Sequence, residues 1–146
     1  MMKKYLLTVT ALFFIYGCDS NAEKDKITGL ESEVLTIHDE VMPKMDEIMT
    51  LKSQLSKKIQ AMDSLQNEGI SSITFAEERI KAVDLNQKLN ESDKLMMKWM
   101  HEYRGDSAKK LKSDQALAYF EKEKEKILNV KQTTIKSIQE AQTFLK

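Results

Sequence analysis

Apolar residues recur at helical intervals along most of this chain, with polar residues between them. They fall first at Val34, Ile37, Val41, Ile48, Leu51, Leu55, Ile59, Met62 and Leu65, the repeat of an amphipathic helix. Thr28-Gly29-Leu30-Glu31 fits a Ser/Thr-x-x-Glu capping box, so the spacing predicts a first helix over 28–67, ending before Gly69. The turn-like QNEGISSI of 66–73 follows. Thr74-Phe75-Ala76-Glu77 repeats the capping box and predicts a second helix over 74–103. Its stripe is Ala82, Leu85, Leu89, Met96, Trp99, Met100 and Tyr103, interrupted by polar residues around Asn86, Ser92 and Asp93. RGDSAKKLK at 104–112 breaks the pattern. A third helix over 113–145, capped by Ser113 or Asp114, carries Leu117, Phe120, Ile127, Val130, Thr134, Ile138, Ala141 and Leu145. Three such helices joined by short turns predict an all-α, antiparallel, up-down-up three-helix bundle.

Composition agrees. Of 146 residues, 4 are Gly and 1 is Pro, while 32% are charged and 7% aromatic; a chain so poor in breakers favours long helices. The formal net charge of zero lacks the basic excess of a nucleic-acid binder.

The first residues read as an address. Met1–Lys4 is a short basic region and Tyr5–Tyr16 an apolar run, shorter than the roughly 20 residues of a membrane-spanning helix. Ile15-Tyr16-Gly17-Cys18 resembles a bacterial lipobox, with Tyr16 in place of the usual small residue. The resemblance implies cleavage of a signal peptide over 1–17 and lipidation of Cys18, the sole cysteine. Acyl chains there would hold the chain on a membrane, each buried methylene contributing roughly 0.8 kcal/mol. Residues 18–29 then read as the lipidated cysteine and a polar tether, leaving 30–146 as the bundle. The domain is expected in the periplasm or at the cell surface, with the choice of inner or outer membrane open.

Candidate chemistry gathers in VLTIHDEVMPKMDEIMTLKSQL, 34–55. At about 100° per residue, His38, Met42, Met45 and Met49 form one stripe beside the apolar seam. Pro43, the only proline, cannot donate to the Asp39 carbonyl and predicts a kink. A hairpin turning near residue 70 pairs residue i with roughly 141 − i. That register sets Met42 opposite Trp99, Met45 opposite Met96, and His38 level with Tyr103. Two readings follow. Methionine is a flexible filler of helical cores. Alternatively, His38, Met42, Met45, Met49, Met96 and Met100 form a soft-metal site, since thioethers with imidazole select Cu(I). His101 lies off the stripe.

Other chemistry is missing from the pattern. His38-Asp39-Glu40 points to different helix faces and lacks the H-E-x-x-H spacing of a zinc protease. The sequence has no phosphate-binding glycine loop and no nucleophile constellation, so no enzyme is expected. The alternating Glu121–Lys126 run reads as a solvated face.

The stretches IHDEVMPKMDEIMTLK (37–52), MMKWMHEY (96–103) and YFEKEKEKILNVKQTTIKSIQEA (119–141) resemble a group of small Bacteroidota lipoproteins that carry the label "viral A-type inclusion protein". The resemblance implies a helical envelope lipoprotein of a Gram-negative bacterium and assigns no site residues. The expected function is that of a membrane-anchored, non-enzymatic binding or structural module, partnered by an envelope protein or a second copy; copper binding is the alternative.

Overall fold

The computed structural model describes residues 20–69 and 72–146. The expected signal peptide and Cys18 lie outside the described residues. The protein is an all-α bundle: α1 (Ser20–Val41), α2 (Lys44–Asn67), α3 (Ile73–Glu102), the single turn α4 (Gly105–Ala108) and α5 (Ser113–Leu145). No described helix is long and apolar enough to cross a membrane.

The first predicted helix is two. Val41 ends α1 and Lys44 begins α2, because Pro43 has no N–H to continue the ladder. Met42 N–H still donates to the His38 carbonyl at 2.9 Å, and Met45 N–H closes a tighter turn onto the Met42 carbonyl at 3.1 Å. The start also differs. Residues 20–29, read as part of a tether, are helical. Thr28 caps nothing; its hydroxyl donates to the Lys24 carbonyl at 3.0 Å, the mid-helix alternative open to Thr.

The second start shifts by one residue and the third falls at Ser113 as expected, but the caps differ. Ser72, not Thr74, caps α3, accepting from Phe75 N–H at 3.2 Å. Lys112 occupies the N-cap position of α5 without a side-chain bond, and Ser113 and Asp114 lie in the first turn. Gly69 takes φ +80 just after α2, the left-handed conformation that glycine adopts without steric cost.

The seam packs as two connected cores. One joins Ile48, Leu51 and Leu55 to Ala82, Leu85, Leu89, Ile138 and Ala141. The other joins Val34 and Val41 to Met96, Trp99, Ile127 and Val130. Met45 packs against both, at the junction.

Polar pairs fix the register. Asn86 donates to Ser56 at 3.0 Å, and Arg79 pairs with Asp63; both pairs sum to 142, against the expected 141. Between α3 and α5, the Ser92 and Ser137 hydroxyls meet at 2.9 Å in the interior, and Lys88 reaches Glu140 at 2.9 Å. The polar residues that interrupt the α3 stripe are therefore cross-helix contacts. Glu33–Lys124 and Glu40–Lys131 share one sequence offset of 91, so α1 and α5 run parallel and in step.

Candidate interaction site at the helix break

The break redirects α1. Below it, α2 lies along α3; above it, α1 lies mainly along α5. The space thus opened between α1 and α3 is filled by large rings. His38 stacks on Trp99 with centroids 5.5 Å apart. Trp99 stacks on Tyr103 at 4.9 Å, Tyr103 approaches Tyr119 at 6.4 Å, and Tyr119 meets Phe120 edge-on at 5.3 Å. Such offset and edge contacts suit the ring quadrupoles. The sequence register placed His38 level with Tyr103; the structure sets it against Trp99, one turn away, because two residues outside regular helix intervene at Met42-Pro43.

The end of the ladder is held by α4. The Arg104 guanidinium donates to the carbonyls of His101 at 2.6 Å and Tyr103 at 2.9 Å, satisfying the free end of α3. Arg104 N–H donates to the Tyr119 hydroxyl at 2.6 Å. Lys109 bridges Glu31 at 2.9 Å and Asp106 at 3.1 Å, tying α4 to α1. Gly105 is buried, and a Cβ there would lie 2.6 Å from the Tyr103 hydroxyl. A crevice of about 460 Å³ opens between α1 and α4, lined by Glu31, Leu35, Tyr103 and Arg104 among others.

Several buried polar atoms here have no partner among the described residues: Trp99 Nε1, the Tyr103 hydroxyl and Glu123 Oε2. Burial, reinforced by the Glu31 charge and then by Tyr119, pushes the Tyr103 hydroxyl up to about 12. Burial likewise raises Tyr119, against the Arg104 backbone bond. Glu123 was expected on a solvated face. It is 3% exposed, with one oxygen on Lys126 at 2.7 Å. That bond is the first cause of the raised Lys126 ammonium.

The structure divides the six proposed metal ligands between core and surface. Met96 is sealed in the core, and Met45 packs at the junction of the two clusters. His38 is partly covered by Trp99, with Nδ1 2.9 Å from Asp39 Oδ1. Met42, Met49 and Met100 are exposed at 36%, 57% and 40%. Among the described residues no group of three or more His, Cys, Asp or Glu side chains could hold a metal ion.

The exposed methionines have a common address. Lys52 meets Asp93 across the α2–α3 seam at 3.6 Å. Met49 lies one turn before Lys52, and Met97, 60% exposed, one turn after Asp93. The helices are antiparallel, so both steps run toward the break. Met42 and Met100 continue the same two edges, and Leu35, 39% exposed, extends the α1 edge. Met97 is not one of the six candidate ligands; its exposure reveals its place on this face.

Comparison with protein-family models, with curated proteins and with solved structures gives no match to this chain.

Proposed function

We propose that the protein is a lipid-anchored, non-enzymatic binding module of a bacterial envelope, working through the methionine-rich face beside the helix break. That face carries the reading. Five large apolar side chains (Leu35, Met42, Met49, Met97 and Met100) stand in solvent on the edges of α1, α2 and α3 beside the break; Ile73, Phe75, Ile80 and Leu111 are exposed elsewhere, singly or near the start of α3. Contiguous exposed apolar surface of this kind marks interaction sites, and methionine adapts its shape to a partner. The lipobox-like Ile15–Cys18 and the resemblance to small Bacteroidota lipoproteins support the anchor. Helix α1 begins at Ser20, two residues after Cys18, so the bundle would stand close to the membrane.

Two measurements test this reading in cells. Labelled fatty acid should enter the wild-type chain and not Cys18→Ser. A photo-crosslinker at position 97 should give a discrete product on the membrane. Absence of label from wild type overturns the anchor, and absence of any product at 97 overturns the binding face.

A second reading rests on the same thioethers. Met42, Met49 and Met100 are open to solvent, and His38 keeps one ring nitrogen away from Asp39, so a Cu(I) ion could recruit soft donors at this edge. Cu(I) titration tests it: binding that survives Met42→Leu, Met49→Leu and Met100→Leu together overturns it.

A further inference from the structure

We infer that the occupant of the methionine face is a second copy of this chain, in a parallel two-fold dimer. The inference rests on the binding-face reading above and names its partner.

The charges beside the methionines carry the argument. At about 100° per residue, Asp46 lies outward of Met49 on α2, and Lys94 and Lys98 lie outward of Met97 on α3. All three are exposed. The α2–α3 register, set by Asn86–Ser56 and Asp93–Lys52, places Asp46 level with about residues 96–99, beside Lys98 and within about a turn of Lys94. Among the described residues neither Asp46 nor Lys94 enters an ion pair, and Lys98 has only the exposed Glu102, 3.9 Å away. The face is therefore a stripe of thioethers with an acidic border on α2 and a basic border on α3.

A two-fold axis parallel to the helices lays α2 of one copy over α3 of the other. Met49 then meets Met97, the exposed Met42 and Met100 lie on the same contact, and Asp46 of each copy approaches Lys94 and Lys98 of the other. An axis perpendicular to the helices lays α2 over α2 and α3 over α3, bringing acid to acid and base to base; like charges across an interface are disfavoured. The parallel arrangement also puts both copies of Ser20 at one end of the assembly, so that two chains anchored at Cys18 reach the same membrane. Charge and anchoring select the same axis, and the contact closes on itself.

The test is sedimentation of the lipidated full chain in a density-matched non-ionic detergent. The wild type should sediment at twice its chain mass. Asp46→Lys and Lys94→Asp should each weaken the dimer by about fivefold to tenfold, with unchanged helicity by circular dichroism. Asp46→Lys combined with Lys94→Asp should restore it. Single reversals without effect, or a double variant no tighter than the singles, overturn the parallel arrangement. A wild type that is monomeric at all concentrations, yet still crosslinks through position 97 to another protein, overturns the dimer and leaves the binding-face reading standing. A monomer without such a product overturns both.

Discussion

His38 stacks on Trp99 at 5.5 Å just past the helix break, where α1 has turned toward α5. The chain breaks at Pro43 and fills the resulting gap with rings rather than aliphatic side chains. Trp99 is the centre of that filling, touching both His38 and Tyr103. Trp99→Ala should therefore cost about 3–5 kcal/mol, read by urea unfolding. His38→Ala removes one flank of the stack and should cost about 1 kcal/mol, with a red shift of emission from the only tryptophan. Equal costs for the two would contradict the central place given to Trp99.

Tyr103 and Gly105 form a second coupled pair. The Tyr103 hydroxyl has no partner among the described residues, so Tyr103→Phe should be neutral or stabilise by up to about 1 kcal/mol at pH 7. Gly105→Ala drives a methyl group into the ring and should cost about 1–3 kcal/mol. In a Tyr103→Leu background that cost should shrink, a coupling that a double-mutant cycle measures.

The same tyrosine sets an alkaline limit. Its folded value of about 12 lies above the ordinary 10.0, so the unfolded chain ionises first. The stability it contributes is complete below about pH 10 and is lost as pH rises toward 12. Tyr119 is raised in the same direction. Thermal melts across this window should fall less steeply for Tyr103→Phe and least for the double variant with Tyr119→Phe.

Glu123 is buried with one oxygen unpartnered among the described residues, while Lys126 remains partly exposed. Replacing the carboxylate by an apolar group of similar length lets Lys126 return to water. Glu123→Met should stabilise the bundle by about 1–3 kcal/mol, measured by urea unfolding. Destabilisation of that size would mean that the buried oxygen has a partner after all.

The helical seam was legible because burial repeats with the helical period: Val34, Val41, Ile48 and Leu55 are all fully buried. The break was legible too, since proline removes a donor wherever it stands. The caps were not. Thr28 satisfies its hydroxyl on the preceding turn as readily as it would cap a helix, and the sequence does not rank those bonds. Asn86, Ser92 and Asp93 looked like defects in a stripe, because periodicity shows which face a residue occupies but not what stands opposite. Glu123 sits in an alternating charge run that any pattern assigns to solvent; only the approach of the neighbouring helices buries it. The six-residue metal set likewise shared a face on paper, and the packing sent Met96 inward while leaving Met42, Met49 and Met100 outside.

Methionine oxidation reads out whether the exposed face is covered on the membrane. Met96 is sealed and serves as an internal standard, while Met42, Met49, Met97 and Met100 are open on the isolated chain. Brief hydroxyl-radical exposure followed by mass spectrometry gives the rate at each sulfur, on membranes carrying the lipidated protein and in dilute detergent solution. The four surface methionines should oxidise readily when dilute and be protected together on the membrane, with Met96 slow in both. Equal oxidation of the four in both conditions would contradict a covered face.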